Sequence, residues 1–410
     1  MTITLVAALG LLALMTIGVH VAVSMGMVSS LMVLSIDGVP LTAVAQSVFN
    51  SVNSYPLMAI PMFIFMGNLM TRGRIVSILL LLIGSIVRAV SGGMALSVML
   101  SCVFFAAVSG SSVASASAIG AAAVNELKRE MYPARFAAAL VAVGGTLGLM
   151  IPPSLGFILI GSIVGLPVDK LFIAGILPGL LEACMLLFTT YVISRKNGYG
   201  GPPQKADVGL FMRKLPRASG ALSMPILVMG GIYMGIFTPT EVSALAAAYA
   251  IVLCVVIYRT LNLREVWHSA QDSILQTTMI FAVVAGGSLI GFILARMGVS
   301  ASLTAFMEQL NMSPWQFLLL ANIVLLILGT ALDGVAMIVL TAPLLFPMAQ
   351  HLGINPVHFA VIMVANVEIA TLTPPVGLNL FVMSATAKLP VEEVSRGVYP
   401  FYLTRLVGLA

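Results

Sequence analysis

Apolar residues run along this chain in long tracts, and the charged residues are confined to the gaps between them. The stretches 2–36, 89–125, 136–168 and 334–367 contain no Asp, Glu, Lys or Arg. About 20 apolar residues span the hydrocarbon core of a bilayer, so each stretch is long enough for a membrane-spanning helix or a re-entrant pair. Two apolar segments carry a proline doublet. Gly145 to Phe157 reads Gly-Thr-Leu-Gly-Leu-Met-Ile-Pro-Pro-Ser-Leu-Gly-Phe, and Ile369 to Asn379 reads Ile-Ala-Thr-Leu-Thr-Pro-Pro-Val-Gly-Leu-Asn. Proline lacks an amide proton and clashes with the preceding turn, so the pattern predicts interrupted helices over 135–165 and 357–387.

The doublets belong to a longer repeat. Tyr132-Pro133-Ala134-Arg135-Phe136-Ala137 matches Asn355-Pro356-Val357-His358-Phe359-Ala360, and Leu166-Pro167-Val168-Asp169 matches Leu389-Pro390-Val391-Glu392. Pro178 falls near the position of Pro400, and Gly110 to Ala114 falls opposite Leu332 to Ala336. The offset is 222 or 223 residues throughout, which argues for duplication. Broken helices at corresponding places in two halves are the sequence sign of a secondary transporter's binding site.

Composition supports the membrane reading. The chain is 60% hydrophobic and 8% charged, with a mean hydropathy of +1.11, where a soluble domain carries roughly 25% charged residues. Met1 to Ile36 is too long and too poor in N-terminal charge for a cleaved signal peptide, and reads as retained membrane structure. The net charge of +5 does not point to nucleic acid, because most Lys and Arg sit in short gaps as topology signals. Cys102, Cys184 and Cys254 lie in apolar runs at unrelated spacings and suggest neither metal nor disulfide.

Basic residues in short loops favour the cytoplasm. Arg195, Lys196, Lys205, Arg213, Lys214 and Arg217 place the linker 195–218 inside. From there a topology follows. Residues 1–91 open a first repeat, and 92–194 complete it with a hairpin over 92–128 and the broken helix 135–165. Residues 219–311 open the second repeat, with 261–273 as an interfacial helix before a span over 274–295. Residues 312–410 complete it with a hairpin over 314–350 and the broken helix 357–387. The N-terminus lies outside and the halves have opposite orientation. All of the 19 basic residues except Lys170, Arg296 and Arg405 then face the cytoplasm. The fold class is an all-α polytopic membrane protein, an inverted repeat with two re-entrant helical hairpins and two discontinuous helices.

Candidate chemistry sits at the hairpin tips and the breaks. Ser109-Gly110-Ser111-Ser112 offers carbonyls and hydroxyls, hard oxygen donors suited to Na⁺; the competing reading is that Ser and Gly only permit close helix packing. Asp333 is a carboxylate in an apolar stretch, costly by about 2.5–3.5 kcal/mol on insertion scales. A bound cation would satisfy it, as would capping the helix that starts at Gly334. Near the breaks, Gly145, Thr146, Gly148, Thr371 and Thr373 supply oxygens. Helix N-termini after the breaks carry partial positive charge and suit an anion, with Ser154 and Asn379 as hydrogen-bonding side chains. Glu368, one turn before the second break, is either a proton or sodium group or a buried acid with a hydroxyl partner. Glu182 reads as an interhelical or interfacial contact, and His20 as polar packing.

The motifs Ser-Gly-Ser-Ser-Val-Ala-Ser-Ala-Ser-Ala-Ile-Gly (109–120), Gly-Thr-Leu-Gly-Leu-Met-Ile-Pro-Pro-Ser (145–154), Gly-Ile-Phe-Thr-Pro-Thr-Glu (235–241) and Thr-Pro-Pro-Val-Gly-Leu-Asn (373–379) resemble the large (M, DctM-like) membrane subunit of tripartite ATP-independent periplasmic (TRAP) transporters. The resemblance covers nearly the whole chain. Ser115 and Ser117 depart from it, standing where Thr or Ala is expected. It implies a multi-pass protein of a bacterial or archaeal inner membrane with an elevator-type fold. It also implies Na⁺-coupled uptake of a small carboxylate, such as a C4-dicarboxylate or sialic acid. The implied partners are a small four-helix membrane subunit, as a separate chain, and a periplasmic substrate-binding protein. Carried to these residues, one Na⁺ site lies among Ser109, Ser111, Ser112, Gly145 and Gly148, and the other among Asp333, Gly334, Thr371, Thr373 and Pro374. Two or more Na⁺ ions follow. The substrate would lie between the tips, near Ser112, Pro153, Ser154, Pro375 and Asn379.

Rival readings are weaker. An ion channel tends to repeat a pore loop around an axis rather than as an inverted pair. An intramembrane serine protease needs a base beside its nucleophile, but His268, His351 and His358 fall at predicted helix ends or loops. No Walker lysine motif is present. The chain is therefore not expected to be an enzyme. Within transporters the nearest rival is an ion-coupled carboxylate carrier working without a binding protein.

Overall fold

The computed structural model describes residues 7–409 apart from 8, 12, 16, 36–39 and 203. All regular elements among the described residues are helical. Among the described residues six helices are long and apolar enough to cross a membrane, or seven if Leu41–Val52 and Tyr55–Arg72, bent by 52°, count as one span. Of the two short helices expected over 2–36, Val21–Leu34 is described in full. The expected placement of the N-terminus falls outside the described residues.

Two helical hairpins and two broken helices form the centre. Hairpin A joins Gly93–Ser109 to Ser112–Arg129 and reverses at Gly110, whose φ of +62° a residue with a side chain rarely adopts. Its arms run back alongside each other, so the Ala95 amide near the start of the first arm donates to the Tyr132 hydroxyl just past the second, at 3.5 Å. Hairpin B joins Pro314–Ala331 to Gly334–His351. Phe317 and Phe346, at the far ends of its arms, both pack on Phe359, with ring centroids 5.8 and 5.1 Å away.

Broken helix A runs Ala134–Met150 and resumes as Leu155–Val164. Broken helix B runs Pro356–Ala370 and resumes as Leu378–Ala387. Each interruption falls at a proline doublet, and Pro152-Pro153 and Pro374-Pro375 are both cis. The first arms are almost entirely buried. In Ala134–Met150 every residue from Phe136 to Gly148 is buried, and its Ala and Gly residues let neighbouring helices approach closely. Pro314–Ala331, by contrast, buries only four residues, Phe317, Ala321, Leu325 and Gly329, as a helix facing lipid does.

Around this centre stand Ala59–Arg72, Ile75–Val87, Val208–Tyr233, Pro239–Ile251 and Leu263–Arg296. Asn68 donates to the Ser273 hydroxyl at 2.8 Å, and Arg72 meets Asp272 at 2.5 Å. These contacts fasten Ala59–Arg72 to Leu263–Arg296. Val168–Asn197 and the closing helix Val391–Leu409 pack on broken helix A from another side.

Two elements differ from the sequence expectation. Leu263–Arg296 is one helix of 34 residues, not an interfacial helix followed by a separate span. Its start is set by a capping box between Asn262 and Glu265, and neither Gly nor Pro occurs in it before Gly286, so nothing breaks it where the polarity changes. The basic linker is also shorter than expected. Helix continues to Asn197 and resumes at Val208, where Asp207 accepts from the Leu210 amide at 2.7 Å. Arg213, Lys214 and Arg217 therefore sit on a helix.

Phe359 is fully buried between two aromatic rings. Within lipid the lost term is mainly packing rather than transfer from water. Phe359→Ala is expected to destabilise the protein by about 3 kcal/mol, the lower end for buried Phe, and Phe359→Leu by clearly less. Denaturation of the detergent-solubilised protein measures both.

Candidate cation and substrate site

Each hairpin tip meets one helix break through the backbone. The Leu155 amide, just after the first doublet, donates to the Gly110 carbonyl at 3.0 Å, and the Val376 amide, just after the second, donates to the Thr330 carbonyl at 3.1 Å. A segment that has lost its helical ladder inside a membrane must satisfy its backbone groups some other way, and the tips supply part of that. Side chains supply more. Ser111 accepts from the Ala114 amide at 3.4 Å, Ser154 from Phe157 at 3.4 Å, and Asp333 from Ala336 at 2.7 Å. Each caps the helix that follows it.

The structure brings the first candidate cation group together. A Cβ on Gly148 would stand 2.8 Å from the Ser111 carbonyl oxygen and 3.0 Å from the Ser115 hydroxyl, and one on Gly145 would stand 2.8 Å from the Ala116 Cβ. Only glycine lets the tip come this close. Ser109 and Ser115 share a hydrogen bond of 2.5 Å. Asp333, Gly334 and Thr371, from the second group, line one cavity with Ser111 and Ser112. Thr371 and Thr373 donate their hydroxyl protons to the carbonyls of Glu368 and Ile369, both at 2.8 Å, so their oxygens keep lone pairs. Pro374 and Pro375 are exposed away from this cavity.

That cavity has a volume of about 430 Å³. Ser112, Leu155, Gly334 and Leu378 all line it, and each is the first residue of a helix. Four helix N-termini thus face one space, and their dipoles favour a negative charge there. Asp333 is the one ionisable side chain among the described lining residues. Asn68, Thr71 and Gln276 complete the wall from the surrounding helices. A second, wider cavity of about 790 Å³ begins one turn further along Leu155–Val164, lined by uncharged polar residues including Gln46, Asn50, Ser54, Ser162 and Ser288.

Of the side chains expected to touch substrate, Ser112 lines the cavity while Pro153, Ser154 and Asn379 lie beneath its surface. Ser154 is occupied as a cap and by donation to the Leu149 carbonyl. Asn379 is fully buried and donates to the Ser112 hydroxyl at 2.6 Å and the Ala142 carbonyl at 2.9 Å. Leu155 and Gly156 line the space instead. Glu368 has neither a hydroxyl partner nor an open site; its partner is Arg405 at 2.8 Å. His20 is an exposed helix cap, and Glu182 makes an interhelical contact, also with Arg405.

Asn68 and Gln276 belong to none of the sequence motifs, and Arg405 stands out there only as a basic residue off the cytoplasmic side. The signal for the first two is a lone polar residue in an apolar helix. For Arg405 it is a cation in the last apolar helix, balancing acids in two others. The cap on the second arm of hairpin B gives a direct test. Asp333→Ala is expected to lower stability by about 1 kcal/mol, whereas Asp333→Asn and Asp333→Ser keep the cap and most of the stability, as measured by thermal unfolding in detergent.

The family model described as "Tripartite ATP-independent periplasmic transporter, DctM component" matches residues 8–410. The C4-dicarboxylate TRAP transporter large permease protein DctM of Pseudomonas aeruginosa is 37% identical over 94% of this chain and 90% of its own length. The sialic acid TRAP transporter large permease protein SiaM of Vibrio cholerae is 31% identical over 98% of this chain and 94% of its own. The crystal structure of the Alcanivorax borkumensis YdaH transporter superposes with a TM-score of 0.61, covering 95% of this chain and 94% of that one; at 14% identity it speaks to the fold alone. These relatives are named as permeases, not as enzymes. The chain belongs to the DctM component family of tripartite ATP-independent periplasmic transporters.

Proposed function

We propose that this chain is the transport subunit of a Na⁺-coupled uptake system for a small carboxylate of the C4-dicarboxylate or sialic acid kind. The substrate arrives from a periplasmic binding protein, and a small four-helix membrane subunit, as a separate chain, works beside this one in the inner membrane. The two halves lie inverted in the bilayer with the N-terminus outside. Hairpins and broken helices move together, as an elevator, against the surrounding helices.

The observation that carries this reading is the convergence of four helix N-termini on a cavity with one ionisable lining side chain, an acid. Dipoles favour an anion there, yet no Lys or Arg among the described lining residues neutralises it. A dicarboxylate beside Asp333 therefore needs accompanying cations. The oxygen-rich turns at Ser109–Ser112 with Gly145–Gly148, and at Asp333–Gly334 with Thr371–Pro374, are where Na⁺ ions bind. The names of the relatives supply the substrate class.

The magnitudes agree with two or more ions. Concentrating a solute 1,000-fold costs about 4.1 kcal/mol. One Na⁺ entering down 100 mV releases roughly 2.3 kcal/mol. One ion falls short without a chemical gradient and two suffice for an uncharged cargo, whereas a dicarboxylate cancels the electrical work of two and needs a further ion or a Na⁺ concentration gradient.

Proteoliposomes containing this chain and its small subunit, supplied with the binding protein and labelled succinate or sialic acid, are expected to accumulate label only under an inward Na⁺ gradient. Accumulation independent of that gradient rejects the coupling, and full uptake without the binding protein favours a stand-alone carrier. Asp333→Asn keeps the helix cap but removes the charge. Its half-saturating Na⁺ concentration is expected to rise about tenfold, equivalent to roughly 1.4 kcal/mol, in the same uptake assay. Gly148→Val drives a side chain against the Ser111 carbonyl and is expected to lower uptake at least about tenfold.

A further inference from the structure

Arg74, Lys214 and Arg217 line one cavity of about 330 Å³, set where Ile75–Val87 begins and Val208–Tyr233 passes it. Lys214 and Arg217 stand three residues apart on one helix and so share a face of it. Arg74 precedes the other helix with φ +57°, a left-handed conformation that glycine or asparagine adopts more readily. Gly73 lets the turn after Ile257 close in, since a Cβ there would stand 2.6 Å from the Cys254 sulfur and 3.4 Å from the Thr260 hydroxyl. Thr260 lines the cavity too. Ile78 and Leu81 form its apolar wall, and Leu81 is 55% exposed at the rim.

The three cations have no acid to meet. No Asp or Glu is among the described lining residues, and none of the three makes an ion pair with a described residue. Acids on neighbouring elements are engaged elsewhere. Asp207 caps Val208–Tyr233, Glu265 caps Leu263–Arg296, and Asp272 meets Arg72. Like charges around one space repel, and a bound anion relieves them. The apolar wall then narrows the kind of anion. Inorganic phosphate leaves Ile78 and Leu81 bare. A phospholipid satisfies both halves of the cavity, with its phosphate among the cations and its acyl chains running past Leu81 into the bilayer. Basic pockets between helices on the cytoplasmic side take anionic headgroups, and the basic linker places this end of the bundle on that side.

We propose that Arg74, Lys214 and Arg217 form a binding site for the headgroup of an anionic phospholipid. The bound lipid ties Ile75–Val87 to Val208–Tyr233 and to the turn at Thr260. All three belong to the helices around the centre and not to the hairpins or broken helices, so the lipid braces the surround. The site shares no lining residue with the cavity at the helix breaks. The inference needs a membrane-spanning chain, but neither Na⁺ coupling nor the identity of the substrate.

Titrating the full-length protein, stripped of lipid in detergent, with phosphatidylglycerol, phosphatidylcholine or inorganic phosphate tests it. Native mass spectrometry reads the bound molecules, and thermal unfolding reads the stabilisation. Phosphatidylglycerol is expected to stay bound and raise the unfolding midpoint, whereas phosphatidylcholine and phosphate do neither. The triple variant Arg74→Gln, Lys214→Gln, Arg217→Gln is expected to hold phosphatidylglycerol at least about tenfold more weakly, because each basic residue near the headgroup adds attraction. A control with Arg129→Gln, Arg195→Gln and Lys196→Gln removes as many charges outside the cavity and is expected to bind like the unaltered protein. Equal weakening in the control, or full binding by the triple variant, overturns the proposal. So does an equal response to inorganic phosphate, which assigns the pocket to a free anion, and so does failure of the unaltered protein to retain phosphatidylglycerol, as a surface reserved for a protein partner predicts. Should the triple variant not fold, the single variants decide: each is expected to weaken binding, and undiminished binding in all three overturns the site.

Discussion

The rest of this architecture depends on a backbone hydrogen bond made twice. A helix interrupted inside a bilayer leaves amides and carbonyls that lipid cannot satisfy. Here the amide after each proline doublet reaches the carbonyl at a hairpin turn, Leu155 to Gly110 and Val376 to Thr330. The hairpins are equally incomplete alone, since their turns also lie among apolar residues. Each element therefore completes the other. The close approach this requires explains glycine at 145 and 148, where any side chain would strike the facing arm of hairpin A.

From that pairing follows the character of the cavity. Two hairpin reversals and two helix breaks set side by side point four helix beginnings at one space. The backbone, rather than Lys or Arg, supplies the positive potential, while serine, threonine and aspartate oxygens supply the negative partners. The single buried guanidinium is kept away from this space, under the breaks, where Glu182 and Glu368 enclose it.

Much of this was legible in the residues. Pro152-Pro153 and Pro374-Pro375 announce interruptions because proline removes a donor wherever it falls, and Ser109-Gly110-Ser111 announces a turn for similarly local reasons. What local chemistry does not specify is which neighbour a side chain meets. Asn379 is a plausible ligand for an anion when read along its own helix, yet tertiary packing turns it toward Ser112. Glu368 shows an acid needing a partner, but that partner lies 37 residues on. The extent of Leu263–Arg296 is not legible because polarity changes along it while helix propensity does not.

The amide group of Asn379 spends both protons on the other half of the chain, one on Ser112 and one on Ala142. A side chain from the second broken helix thus rivets the tip of the first hairpin to the first broken helix. Hairpin A cannot swing away alone while that rivet holds. The second broken helix, the tip of hairpin A and the first broken helix are thereby joined through a single carboxamide.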